Sequence, residues 1–326
     1  LGALLVFLLF VQGANSMIFQ LGKTEEERRM LINSTGRKWE FTFTTLVTFG
    51  GAFFASFPLF YSTSFGGAYW VWVLILFTFI IQAISYEFQN KAGNLFGVRT
   101  FQTGLIINGI LGPLLLGGAV ATFFTGSNFI VEKGNITDFM QPVISHWANG
   151  SRGLDVLLNP WVVIFGISVV FLARILGTLY INNNVNDDII RGRVRKQLLV
   201  NTVLFLLFFL PFLIVTLVGE GYAVNEAGVI VMEPMKYLNN LLAMWPLAII
   251  LLVGVVLLLF GIVKTVLKPE YVRGIWPAGI GVVLVVLVLF LIAGWNNTAY
   301  YPSTADLQSS LTLQNSSSSE FTLKAM

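Results

Sequence analysis

Residues 198–219 read LLVNTVLFLLFFLPFLIVTLVG and contain no charged side chain. A second apolar run, residues 247–263, reads LAIILLVGVVLLLFGIV. Each run is close to the roughly 20 apolar residues that a helix needs to cross the hydrocarbon core of a bilayer. Neither run alternates polar and apolar residues, as barrel strands do. Since backbone polar groups must pair internally in lipid, both runs predict membrane-spanning α-helices.

The whole chain has the composition of a multi-spanning membrane protein. Of its 326 residues, 56% are hydrophobic and 11% are charged, whereas soluble domains carry about 25% charged residues. A water-soluble fold could not cover so much apolar surface. Further apolar blocks extend the pattern along the chain, and the predicted spans are 1–19 (partial), 42–61, 69–89, 101–126, 159–181, 197–219, 241–266 and 275–295.

These spans predict an all-α integral membrane protein with about eight transmembrane helices in two four-helix bundles. The single membrane domain covers residues 1–326, divided into a first bundle, an outer loop, a second bundle and a last outer loop, at 1–126, 127–158, 159–295 and 296–326. The chain opens inside an apolar run without an initiator Met and ends after a polar stretch. We therefore expect truncation at both ends and a missing ninth helix.

The basic residues predict the orientation of the helices, because loops rich in Lys and Arg stay in the cytoplasm. The connections 20–41, 90–100, 182–196 and 264–274 are basic, and the intervening connections carry few basic residues for their length. This alternation places the N-terminus on the outer side. It also explains the net charge of +3 without a nucleic-acid partner.

Several classes of chemistry are excluded for this chain acting alone. It has no Cys and a single His, His146, so thiolate catalysis, iron–sulfur clusters and two-His haem or metal sites are excluded. No glycine-rich phosphate loop follows a predicted strand. The six Trp residues at predicted span ends are typical of the interfacial aromatic belt.

Charged residues near the membrane are functional candidates, because their burial costs free energy. Glu40 begins the second span after Trp39, where it carries protons or simply stabilises the helix N-terminus. Glu87 lies near the end of the third span, as a secondary acid, a charge partner or a snorkelling side chain. Arg174 lies about two turns inside the fifth span, where it either snorkels or pairs with an acid of another helix or subunit.

Neutral polar residues within the spans leave two interpretations open. Gln82, Gln102 and Asn108 can form ordinary hydrogen bonds between helices. The glycines around Pro113 permit close packing and a kink. The same features also fit a secondary transporter with a broken helix.

Motifs along nearly the whole chain resemble subunit II of the cytochrome bd quinol oxidases. The matching segments are LGKTEEERRMLINS at 21–34, WE at 39–40, GGAFFASFP at 50–58, YEF at 86–88, LLNP at 157–160, YPST at 301–304, SSLT at 309–312, SS at 317–318 and TL at 322–323. The chain departs from the family pattern after Glu40. It also lacks the family's acidic residues in the stretch QGANS at 12–16.

The resemblance implies a heteromeric quinol oxidase of the bacterial cytoplasmic membrane. In that family the haem-bearing subunit I holds haems b and d, quinol is oxidised, and dioxygen is reduced to water. Subunit II would stabilise subunit I and line proton and dioxygen access, and some members hold a structural quinone. The implied proton-pathway residues are Glu40, Trp39, which would position it, and Glu87.

Two rival functions remain at this stage. A stand-alone secondary transporter would bind its substrate with polar residues at the midplane. A purely structural assembly subunit would need the same partner, but Glu40 would be dispensable.

Overall fold

The computed structural model describes residues 1–132, 134–135, 138, 140–141 and 143–318. The end of the predicted last loop, with the motif residues Thr322 and Leu323, lies outside the described residues. Within the described part, six helices are long and apolar enough to span a membrane. The prediction of an all-α integral membrane protein is therefore confirmed, while the eight-helix count and the two-bundle division stay predictions.

The first two predicted spans are less regular than expected. The elements are α1 (Gly2–Leu8), α2 (Phe10–Asn15), α3 (Ile18–Leu21), α4 (Glu25–Gly36), α5 (Trp39–Ser56) and α6 (Pro58–Phe60), followed by a π-helical segment, Tyr61–Gly67. The predicted partial span 1–19 corresponds to three short helices, α1, α2 and α3, with breaks at Leu9 and after Asn15. At the first break, the Leu9 N–H is shared between the carbonyls of Leu5 and Val6, which tightens the turn.

The predicted span 42–61 is bent rather than straight. The helix pair Glu25–Ser56 and Pro58–Gly67 bends by 119°. The bend follows from Pro58, which has no N–H to donate and disfavours helical geometry at the preceding residue. Phe57 accordingly adopts φ −133° and ψ 68°. Residues 58–67 therefore do not continue the straight helix α5.

Six of the eight remaining helices in the described part of the chain cover predicted spans, and the two short ones, the fifth and the last, do not correspond to predicted spans. They are α7 (Tyr69–Phe88), α8 (Val98–Thr125), α9 (Pro160–Asn184), α10 (Asp188–Val218), α11 (Lys236–Ala243), α12 (Trp245–Leu267), α13 (Ile275–Gly294) and α14 (Leu313–Ser316). The helix that contains the predicted sixth span, 197–219, begins earlier than the apolar run, at Asp188. Asp187 caps α10 by accepting a hydrogen bond from the Ile190 N–H at 2.8 Å, so a charged helical extension precedes the apolar part.

Helix α2 lies in the middle of the molecule and packs against both α8 and α9. A Cβ atom on Gly13 would lie 1.8 Å from the carbonyl oxygen of Ala173, and one on Gly177 would lie 2.3 Å from the Ala14 nitrogen. The absence of side chains at both positions lets the two backbones approach closely, as small residues do in membrane helix packing. The first helix thus joins the two predicted bundles.

Two short antiparallel hairpins lie in the predicted outer loops. Strand β1 (Phe129–Val131) pairs with β2 (Ser145–Trp147), with Phe129 opposite Trp147. Strand β3 (Glu220–Val224) pairs with β4 (Ile230–Pro234). The loop after α13 joins both regions, because Ser303 bridges Ser127 and Thr298 bridges Ala223.

Candidate functional site

The three predicted proton-pathway residues lie together at one end of the helices. Trp39 and Glu40 begin α5, and Glu87 lies in the last turn of α7. All three line an open cleft of about 490 Å³, together with residues of α4 such as Asn33. A two-residue turn, Arg37 and Lys38, separates α4 from α5. The cleft therefore places two carboxylates at a mouth that opens to solvent.

The floor of the cleft is an aromatic pair. The Trp39 and Tyr86 rings stack with centroids 6.0 Å apart and an interplanar angle of 16°. The Tyr86 hydroxyl donates to Asn15 Oδ1 at 2.8 Å and lies 2.9 Å from Thr35 Oγ1. Tyr86 thus connects the open cleft with a buried polar side chain of α2.

Behind Tyr86 lies a group of buried amides, here named the amide cluster: Gln12, Asn15, Gln82 and Asn108, all with 0% exposure. Gln12 Nε2 donates to Gln82 Oε1 at 3.3 Å and to Asn108 Oδ1 at 3.4 Å. Asn108 Nδ2 continues the cluster to Thr78 Oγ1 at 3.4 Å. Gln12 lies three residues before Asn15, so both face the same side of α2.

The amide cluster is not fully satisfied by protein groups. Gln12 Oε1, Asn15 Nδ2 and Gln82 Nε2 are buried and have no hydrogen-bond partner among the described residues. Such orphaned atoms are costly unless water or another polar group reaches them. All four side chains are neutral, and among the described residues no hydrogen bond joins Asn15 to the other three. In the sequence, Asn15 stands out only as part of the stretch QGANS, which departs from the family motif. Nothing in the sequence indicates its hydrogen bond with Tyr86.

The two acids of the cleft are both exposed. Glu87 forms an i, i+4 ion pair with Lys91 at 2.7 Å, with side chains 63% and 57% exposed. An exposed pair of this kind contributes little to stability. Glu40 lies in the first turn of α5, where a carboxylate is favourable for any helix. The charge-partner interpretation of Glu87 therefore has a named partner, and the capping interpretation of Glu40 stays open.

Arg174 does not line the cleft. Its Nη2 donates to Gln20 Oε1, and its guanidinium carbon lies 5.9 Å from the Phe171 ring centroid. Its Nε is buried and has no partner. Among the described residues Arg174 forms no ion pair, so an acidic partner from another subunit stays a prediction.

A partly buried ion pair between Glu27 and Arg193 joins the connection 20–41 to α10. Arg193 Nη1 donates to Glu27 Oε2 and to the Leu21 carbonyl, each at 2.7 Å. Glu27 Oε2 also accepts from the backbone N–H groups of Lys23 and Thr24. The hydrogen bond from Arg193 is the main reason that the pKa of Glu27 falls to about 2. No feature of the sequence indicates that Arg193 pairs with Glu27.

The donors needed for a haem are missing from the interior of the described chain. His146 lies in β2 and is exposed, and no group of three His, Cys, Asp or Glu side chains converges in the described ranges to hold a metal ion. Asp155 is instead a hydrogen-bond acceptor that joins residues of the predicted outer loop 127–158. Burial raises its pKa, but hydrogen bonds from Ser151, Asn149, Trp147 and Asn128 outweigh burial and lower it. The residues present therefore do not fit haem ligation.

Comparison with known proteins gives curated relatives of similar length. The chain is 26% identical over 336 aligned residues to cytochrome bd-I ubiquinol oxidase subunit 2 of Escherichia coli (strain K12), covering 97% of this chain and 83% of that protein. It is 26% identical over 180 residues to cytochrome bd ubiquinol oxidase subunit 2 of Bacillus subtilis (strain 168), covering 54% and 48%.

The fold agrees with a solved structure, and the whole sequence fits one family. A chain of the bd oxidase from Geobacillus thermodenitrificans superposes with a TM-score of 0.57 at 12% identity, covering 99% of this chain and 91% of that one. The family model described as cytochrome bd terminal oxidase subunit II matches residues 1–326. The chain therefore belongs to the cytochrome bd terminal oxidase subunit II family.

Proposed function

We propose that this chain is the haem-free subunit of a bd-type oxidase, which supports the oxidation of quinol and the reduction of dioxygen to water. The observation that carries the proposal is the family match over all 326 residues. The lack of a haem-ligating set among the described residues agrees with haems b and d being held by a subunit I partner. The chain itself would stabilise that partner in the bacterial inner membrane, with its own N-terminus outside.

Within this function, Glu40 is the proposed entry point for protons, with Trp39 positioning it and Glu87 as a secondary acid. The support is the shared cleft and the route that continues from it through Tyr86 to Asn15. A carboxylate at a solvent-exposed mouth collects protons, and hydroxyl and amide groups pass hydrogen bonds inward once water bridges the orphaned atoms. The same proposal includes a dioxygen path and a structural quinone in this chain. No residues are assigned to either of them.

One observation is equally compatible with the assembly-subunit alternative. Glu40 is exposed in a first helical turn, which fits plain stabilisation of α5 as well as proton uptake. In that case the cleft would have no role in turnover. The stand-alone transporter has no comparable support, because its family would differ from the one that matches this chain.

The experiment is a comparison of Glu40→Gln with Glu26→Gln in the complete oxidase, purified from its native membrane. Glu26 is also exposed, but it begins α4 and does not line the cleft. Positioned proton-transfer groups contribute at least about 100-fold to many reactions, so Glu40→Gln should slow oxygen consumption at least about tenfold, with unchanged haem content. Full activity of Glu40→Gln would contradict the proton role of Glu40, and only the assembly role would remain.

The identity of the partner is tested separately by spectroscopy. The visible spectrum of the purified complex, oxidised and then reduced with dithionite, should show b- and d-type haem bands from a co-purifying subunit. A colourless preparation without a large partner, from a membrane that retains its oxidase, would contradict the oxidase proposal itself.

A further inference from the structure

Two guanidinium groups lie close to one aromatic ring, and an ammonium group binds the backbone carbonyl of the same residue, where α3, α4 and α8 meet. The guanidinium carbons of Arg28 and Arg99 lie 5.5 and 5.7 Å from the Phe19 ring centroid. Lys23 Nζ donates to the Phe19 carbonyl at 3.1 Å. These residues are here named the Phe19 cluster: Phe19, Lys23, Arg28 and Arg99. The face of an aromatic ring attracts cations. This attraction explains the positions of the two guanidinium groups but does not neutralise their positive charge.

No acid of the described chain neutralises the cluster. None of its three cations forms an ion pair within the part of the chain that the structure describes. The nearest acid in sequence, Glu27, is already bound to Arg193, and Glu25 and Glu26 are exposed at the start of α4. Like charges held around one ring repel one another unless an anion joins them.

Two further features point to an anionic ligand. Arg28 Nη1 donates to the Lys23 carbonyl at 3.0 Å, but its Nε is buried and has no acceptor among the described residues. Arg99 lies in the first turn of the 28-residue helix α8, which has no side-chain cap and no acid in that turn. The positive end of the helix dipole therefore adds to the charge of the cluster.

We propose that the Phe19 cluster binds the phosphate headgroup of an anionic phospholipid. Arg and Lys are the side chains that bind phosphate oxygens, and a basic cluster at the end of apolar helices is a typical headgroup site. The apolar part of α8 continues directly from Arg99 into the membrane span, so the acyl chains would lie along the helix. This assignment does not depend on the proton role of Glu40.

The test compares Arg28→Gln and Arg99→Gln with Arg29→Gln in the complete oxidase. Arg29 is exposed and next to Arg28, but it is not part of the cluster. Native mass spectrometry of complexes from nanodiscs containing phosphatidylglycerol should show retained lipid reduced about fivefold by each cluster variant. Retention should be unchanged by Arg29→Gln. Equal retention in all variants would overturn the proposal.

A second arm uses the wild-type complex and does not depend on assembly of the variants. The thermal midpoint in phosphatidylcholine should rise when phosphatidylglycerol is added. An equal rise with inorganic phosphate alone would reassign the site to the free ion and contradict the lipid proposal, as would no rise with phosphatidylglycerol.

Discussion

The indole of Trp39 lies parallel to the phenol of Tyr86, 6.0 Å away between ring centroids, and the Tyr86 hydroxyl reaches Asn15 Oδ1 at 2.8 Å. One side chain thus borders the solvent-filled cleft with its ring and the buried amide cluster with its hydroxyl. Trp39, at the start of α5, is connected in this way to α2, although α3 and α4 lie between them along the chain.

Replacing Tyr86 with Phe separates these two contacts. The ring and its stacking on Trp39 are retained, while Asn15 Oδ1 loses its donor. If protons pass this point, Tyr86→Phe should slow oxygen consumption by about tenfold or more with normal haem content. Tyr69→Phe is the matched control, because Tyr69 lies at the opposite end of α7. Equal turnover of both variants would contradict a route through the hydroxyl.

The amide cluster should be sensitive to loss of its central donor. Gln12→Leu removes the N–H group shared by Gln82 Oε1 and Asn108 Oδ1, and leaves both acceptors buried. Each unpaired buried group costs about 1–3 kcal/mol, so the thermal midpoint of the purified complex should fall. Gln314→Leu, at an exposed position in α14, should have a smaller effect. A midpoint unchanged by Gln12→Leu would mean that water replaces the lost donor.

The ion pair between Glu27 and Arg193 predicts a pH dependence of stability. The pKa of Glu27 is lowered from 4.5 to about 2 in the folded protein. The stabilisation of the folded state by the Glu27 carboxylate is therefore complete above about pH 4.5 and is lost as the pH falls towards about 2. Arg193→Gln should flatten this part of the curve of thermal midpoint against pH, and Lys196→Gln, exposed on the same helix, should leave it intact. Identical curves would show that the pair adds no stability.

The close approach of α2 and α9 predicts a steric effect at Gly13. Gly13→Ala places a Cβ 1.8 Å from the Ala173 carbonyl oxygen, and overpacking of this kind costs about 1–3 kcal/mol or more. The yield of assembled complex should fall. Gly51→Ala is the control, because a Cβ there meets nothing within 4 Å. Comparable yields would mean that the helices separate without cost.

Asp155 should anchor the first outer hairpin. It accepts from Trp147 Nε1 at 2.9 Å and from Ser151 Oγ at 2.6 Å, so Asp155→Ala should increase amide hydrogen exchange in β2 (Ser145–Trp147). Because its folded pKa is lowered, the same exchange should increase in the wild type as the pH falls through that pKa. Glu132→Ala, at an exposed position beside β1, should not change exchange in β2.

The sequence located most of the membrane spans because length and apolar content are local properties. The apolar run 198–219 lies inside α10 except for its last residue, and the prediction for α13 differs from the structure by one residue at its end. Hydropathy did not reveal the charged extension of α10 before residue 197, since a helix capped by Asp187 continues into water without an apolar signal. The bend at Phe57 had a local cause in Pro58, but its 119° angle did not follow from the sequence.

For the candidate site, too, one part could be predicted from the sequence and another part depends on the tertiary structure. The sequence by itself determined the family resemblance, the absence of haem ligands of the Cys and paired-His types, and Glu40, Trp39 and Glu87 as candidates, because these depend on residue identity and order. Only the tertiary structure decided that they share a cleft and that Gln12 meets Gln82 and Asn108, which lie 70 and 96 residues away. Hydrogen bonds between helices depend on the packing and rotation of each helix, which no single segment encodes.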